Sequence, residues 1–163
     1  MGLEKTKIIS VCRFVNQKNI KEIDEIANIL PQFQFKILGD GPLYNEIDNL
    51  IKIKGLNNIQ LPGSCQNVYS HLLASDIFLS CSLYEGLPLS IIEAMSIGLP
   101  IVASNVVGNC DTIIHNQSGY LYELHNIDSA ANYLKILSND KENRLKKGMA
   151  ALTRQRKNFQ LVK

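Results

Sequence analysis

Short apolar, β-branched runs alternate along this chain with longer stretches whose apolar residues recur at helical spacing. KIISVC (7–12) has no polar alternation, which predicts a strand buried on both faces. Ile20, Ile23, Ile26, Ala27 and Leu30 then fall on one helical face, and Pro31 stops that helix. The same reading predicts strands at 33–39, 58–63, 76–81, 99–104 and 119–122. Helices are predicted at 42–54, around 66–74, at 89–97, near 110–114 and over 127–152. Strands separated by helical stretches form parallel βαβ units. The expected fold is therefore α/β, a Rossmann-like doubly wound sheet of about six parallel strands with helices on both faces. It is expected to form one domain over 1–163, with its core at about 7–152. In such a sheet ligands bind at the carboxyl ends of the strands, so the strand-to-helix loops are where chemistry is to be sought.

Composition narrows this picture modestly. A chain of 163 residues suits one ordinary domain, and a net charge of +2 makes no case for a nucleic-acid partner. No apolar run approaches the ~20 residues of a membrane span, and MGLEKTK has no apolar stretch of a signal peptide. Cys12, Cys65, Cys81 and Cys110 never pair as CxxC, and His71, His115 and His125 form no cluster with them. The expectation is reduced thiols in a cytoplasmic protein, with no metal site.

Three loops carry candidate chemistry. Arg13 leaves the first strand and Lys18 opens the next helix; two cations at such a turn suit a phosphate, unless both are simply solvated. After the second strand comes GDGP (39–42), where Gly39 and Gly41 would let backbone approach a ligand or would merely make a tight turn. After Cys81 comes SLYEGLPLSIIEAM, with Glu85 at the strand-to-helix turn and Glu93 in the following helix. Carboxylates so spaced can accept bonds from two hydroxyl-rich groups joined by a diphosphate. Ser90 and Glu93 also fit a capping box, which would make Glu93 purely structural; the spacing leaves both readings open. The first and fourth strands of doubly wound sheets commonly adjoin, which would bring the acidic and basic pairs together.

KIISVCRFVNQKN, FKILGDGP and ASDIFLSCSLYEGLPLSIIEAMSIGLPIVAS, in this order, resemble the carboxyl-terminal, donor-binding domain of family-4 retaining glycosyltransferases of GT-B architecture. The resemblance runs from about Lys7 to Leu137 and implies roles at matching positions. Arg13 and Lys18 would bind the donor diphosphate and stabilise its departure, with Glu85 near the donor sugar and Glu93 on the ribose hydroxyls. Gly86, Leu87, Pro88 and Leu89 would meet sugar or phosphate, Gly39 and Gly41 would lie at the donor, and Gly63 and Ser64 near the nucleobase. Arg13, Lys18 and Glu85 would be the catalytic set, with no metal and no cofactor. The substrate would be a nucleoside diphosphate sugar, a UDP-sugar ahead of a GDP-sugar. Four positions depart from the family pattern: Cys12 and Asn19 for glycine, Pro88 for glycine, and Asp111 for glutamate. Asparagine tolerates left-handed geometry, so Asn19 is a mild departure.

The resemblance also implies an amino-terminal acceptor domain outside this chain, so the chain alone should bind donor weakly and not turn over. The implied activity is sugar transfer to an acceptor hydroxyl in bacterial surface polysaccharide or glycolipid synthesis. The alternatives are a sugar-nucleotide epimerase domain or a non-catalytic nucleotide-sugar-binding module. A dinucleotide dehydrogenase is disfavoured because the first loop lacks the glycine fingerprint. From Lys141 to Lys163 there are eight basic residues and one acidic. That tail is expected to be a solvated helix, with docking on the missing domain or peripheral contact with the inner face of the cell membrane as alternatives.

Overall fold

The computed structural model describes residues 4–160. Six strands form one sheet: β1 (Lys7–Val11), β2 (Gln34–Leu38), β3 (Ile59–Gly63), β4 (Ile77–Ser80), β5 (Ile101–Ser104) and β6 (Gly119–Tyr122). Their order is β3-β2-β1-β4-β5-β6, and every neighbouring pair is parallel. The chain thus starts at the centre, winds out to β3, then crosses back to β4 and continues to β6. The reversal opens a crevice between the carboxyl ends of β1 and β4, where doubly wound sheets take ligands.

The helices are α1 (Ile20–Asn28), α2 (Tyr44–Lys54), α3 (Val68–Leu73), α4 (Leu89–Met95), α5 (Asn109–Thr112), α6 (Ile127–Asn139) and α7 (Lys141–Asn158). They cover both faces, which explains why the strands show no polar alternation. Ile8 of β1 packs with Ile23 of α1, Ile47 of α2 and Leu134 of α6, whereas its neighbour Ile9 packs with Leu72 of α3, Ile91 of α4 and Ala151 of α7. Ile77 and Leu79 join the first cluster and Phe78 the second, so successive residues of one strand serve opposite cores. Pro62 cannot donate to a ladder, and it lies in β3, an edge strand, where a free side tolerates it.

Element bounds differ from the sequence reading in ways the backbone explains. α1 stops at Asn28, before Leu30, whose amide closes a turn on the Ala27 carbonyl while its side chain stays buried. α7 continues to Asn158, because Arg154 donates from Nε to the Thr112 carbonyl (2.7 Å) and from Nη2 to the Asp111 carbonyl (2.9 Å). The basic tail is thus an anchored helix as far as Asn158, with Lys163 outside the described residues. Several of its cations turn inward. Lys147 is buried beside Asn143 and over the Tyr120 ring, and Arg144 donates to the Leu137 and Ser138 carbonyls. Lys141, Lys146, Arg156 and Lys157 face solvent.

Candidate functional site

The loop leaving β1 sets the geometry. After Arg13 it makes a single 3-10 turn at Asn16–Lys18, and Asn19 ends that turn in the left-handed region (φ 53°). Asn19 therefore does the conformational work of the glycine it replaces, and its Nδ2 also donates to the Cys81 carbonyl (3.0 Å). Gln17 ties the same turn to the loop after β4: its carbonyl accepts from the Leu83 amide (2.8 Å) and its Nε2 donates to the Tyr84 carbonyl (3.0 Å). This juxtaposition places Lys18 Nζ 2.6 Å from Glu85 Oε1, in a pair whose side chains are 22% and 9% exposed. The adjacency of β1 and β4 thus brings an acidic and a basic residue from loops 67 positions apart into direct contact.

Glu85 is fixed from the other side as well. Its amide donates to the Val107 carbonyl (2.9 Å), and Gly108 (φ 89°) packs so closely that a Cβ there would lie 2.5 Å from the Glu85 carbonyl oxygen. Only glycine fits that approach.

A cleft of about 490 Å³ opens at this edge of the sheet, within the usual range for small-molecule sites. Arg13, Lys18, Gly39, Ser64, Leu87, Leu89 and Glu93 line it. Gly41, Gly86 and Pro88 are not part of its wall. Glu85 lines instead a small void of about 10 Å³ behind it, and Lys18, Cys12 and Ser90 border both spaces. Gly39, besides lining the cleft, has a steric reason to be glycine. At φ 135° a Cβ would fall 1.8 Å from the Cys12 carbonyl oxygen, so this glycine lets the loops after β1 and β2 pass each other.

Glu93 is freed from the capping reading. The N-cap of α4 is Pro88, no side chain caps the helix, and Ser90 lies inside it. The carboxylate faces the cleft rather than reaching back to an amide. At that N-cap Pro88 has no helical hydrogen bond to forfeit, so its missing N–H is harmless to the helix.

The walls include Cys12, which the sequence marks as a side chain where the family pattern has glycine, and further residues that sequence reasoning passed over as contacts. Cys12 lines the cleft beside Lys18; burial pushes its thiol up to about 12 although Lys18 opposes the shift. It stays neutral near pH 7 and adds no repulsion toward an anion. Asp40 also lines the cleft, with Oδ1 accepting from the Gly41 amide (2.7 Å). Val11, Leu38, Cys65 and Val68 give part of the cleft an apolar lining. Nothing in their spacing signals this, because the contact arises from β1, β2 and the loop after β3 lying side by side. Two cations, an outward carboxylate and an apolar surface in one crevice suit a molecule with an anionic middle, hydroxyls and a flat ring.

Comparison with known proteins agrees with this architecture. Residues 2–154 match the family described as glycosyl transferases group 1. The UDP-Gal:alpha-D-GlcNAc-diphosphoundecaprenol alpha-1,3-galactosyltransferase of Escherichia coli is 36% identical over 156 residues, covering 86% of this chain and 39% of that protein. The poly(ribitol-phosphate) alpha-N-acetylglucosaminyltransferase of Staphylococcus aureus is 35% identical over 137 residues, covering 80% of this chain and 28% of its own length. A mutant of S. aureus TarM, solved with fondaparinux, alpha-GlcNAc-glycerol and UDP, superposes with a TM-score of 0.92 at 30% identity. The match covers 96% of this chain and 33% of that one. The chain therefore spans well under half the length of these relatives.

Proposed function

Since this chain belongs to the glycosyl transferases group 1 family, we propose that it is the nucleotide-sugar-binding domain of a retaining glycosyltransferase. One observation carries the reading: Arg13, Lys18 and Glu93 line a single cleft at the crevice between β1 and β4. The donor diphosphate lies between the Arg13 guanidinium and the Lys18 ammonium. Glu93 accepts from the ribose hydroxyls, and the apolar wall of Leu38, Cys65 and Val68 receives the base. Negative charge builds on the leaving diphosphate as the sugar departs, and cations already fixed in place lower that barrier without reorganising. UDP is the favoured nucleotide, since it is bound in TarM, the S. aureus structure that this chain resembles. The setting is bacterial surface polysaccharide or glycolipid synthesis at the cytoplasmic side, in keeping with the named reactions of the relatives.

Calorimetry with UDP, GDP and ADP, each alone and sugar-linked, tests this reading. UDP compounds are expected to bind most tightly, and Glu93→Gln to weaken them about tenfold or more, the worth of a hydrogen bond to a charged acceptor. Melting of Glu93→Gln should match the parent, because the carboxylate caps nothing. A variant that melts lower yet binds UDP normally would return Glu93 to a structural role.

The acceptor site belongs, in this proposal, to a further domain, since the relatives are more than twice as long as the stretch they share with this chain. The 163-residue chain alone is accordingly expected to bind donor without transferring sugar. Sugar transfer by the isolated chain to a lipid-linked or polyol-phosphate acceptor would contradict that division of labour.

A further inference from the structure

Behind the cleft lies a chain of buried hydroxyl and amide groups that the reaction itself does not use. Ser82 is 2% exposed, and its Oγ donates to Glu85 Oε1 at 2.7 Å. That same oxygen accepts from the Lys18 ammonium at 2.6 Å. Glu85 Oε2 takes no hydrogen bond from any described residue. The Ser82 carbonyl is held in turn, accepting from Ser104 Oγ at 2.6 Å. Asn109 Nδ2 donates to the Ser104 carbonyl at 3.1 Å, and Ser104 and Asn109 are both fully buried. The series runs from the loop after β5, through the loop after β4, to the turn after β1.

We infer that Ser82 is a positioning residue of the donor site: its hydroxyl fixes the Glu85 carboxylate that holds the Lys18 ammonium at the floor of the cleft. The inference rests on the donor-binding reading above. Lys18 has four rotatable side-chain bonds and would otherwise sample many positions, so its place in the cleft depends on where Glu85 Oε1 stands. Glu85 has three such bonds of its own, and the loop backbone fixes only its Cα. The Ser82 bond selects one carboxylate orientation. It gathers both protein partners on Oε1 and leaves Oε2 turned away from them. A buried, hydrogen-bonded network of this kind sets geometry more than it adds stability.

The readout is the ratio of affinities for UDP and UMP, measured by calorimetry on the full chain. UMP lacks the second phosphate and so depends less on Lys18. Ser82→Ala is expected to lower the preference for UDP about five- to tenfold while leaving UMP nearly unchanged. Ser82→Thr, which keeps the hydroxyl, should restore it. Ser80→Ala is the matched control, because Ser80 Oγ contacts Ser82 Oγ (3.3 Å) but does not touch Glu85; it should behave as the parent does. A purely structural hydroxyl would lower the melting temperature and weaken both ligands alike. The role of Ser82 is overturned if Ser82→Ala keeps the parental UDP preference, or if Ser80→Ala loses as much. Absence of UDP binding by the unaltered chain would instead remove the donor-site reading on which the inference stands.

Discussion

Lys18→Met should weaken UDP binding by roughly one to two orders of magnitude and lower the stability of the chain as well. The binding loss follows from removing a charge-assisted bond to phosphate, worth about 1.5–3 kcal/mol. The stability loss has a separate origin. Glu85 is 9% exposed and loses the ammonium 2.6 Å from its Oε1, which leaves a mostly buried carboxylate with Ser82 as its remaining side-chain partner. Breaking a fully buried pair costs about 3–5 kcal/mol. Because Lys18 keeps 22% exposure, a smaller cost, about 1–2 kcal/mol, is expected here. Adding Glu85→Gln separates the two effects. Glutamine can still accept from Ser82 and carries no charge, so the double variant should regain most of the lost stability while UDP binding stays weak. Chemical denaturation and calorimetry on the parent, both single variants and the double variant complete the cycle. A double variant no more stable than Lys18→Met alone, or a Lys18→Met protein that binds UDP as the parent does, would refute this account of the pair.

That pair marks the boundary of what the sequence discloses. Buried strands are legible because each must bury both faces, and runs such as 7–12 and 76–81 contain little that could face water. Helical covering then dictates a parallel sheet, and the sheet dictates which loops converge. The adjacency of β1 and β4 extends this to the meeting of the two loops, and there Lys18 touches Glu85 while Arg13 lines the cleft beside them. Sequence spacing does not say which groups face the cleft. Glu93 fits a capping box and a ligand contact equally well until the backbone places Pro88 at the N-cap. Gly39 fits ligand approach and a tight turn alike in the sequence, and only the fold reveals that its missing Cβ makes room for the Cys12 carbonyl. Ser82 and Gly108 carry no signal, because their importance lies in contacts with Glu85 that no local pattern encodes.

Asp24 was missed for the same reason, and it yields the second large effect: Asp24→Asn should stabilise the protein at pH 8 and flatten its stability against pH. In IKEIDEIAN it looks like one more solvated acid, but on α1 it is fully buried, and neither carboxylate oxygen has a hydrogen-bond partner among the described residues. Glu22 on the same helix shows the contrast: also buried, it accepts from Tyr122 Oη (2.6 Å) and pairs with His125 Nδ1 (2.9 Å). Burial without such partners raises the Asp24 carboxyl to about 7, with Lys54 opposing the shift, Glu25 adding to it and Lys21 opposing it. An acid raised on folding binds more protons in the native state than in the unfolded chain between roughly pH 4 and 7. Stability from this group is therefore greatest below about pH 4, declines as pH rises to about 7, and then levels off. The displacement corresponds to a few kcal/mol at most, on the order of 2–4 kcal/mol across that window. Asparagine keeps the shape and cannot ionise, so the gain should be largest at pH 8 and nearly vanish at pH 4. Urea denaturation of both proteins across this range isolates the group, since every other titrating residue is common to them. Parallel pH curves for parent and variant would mean that Asp24 finds partners or water in solution and stays charged at little cost.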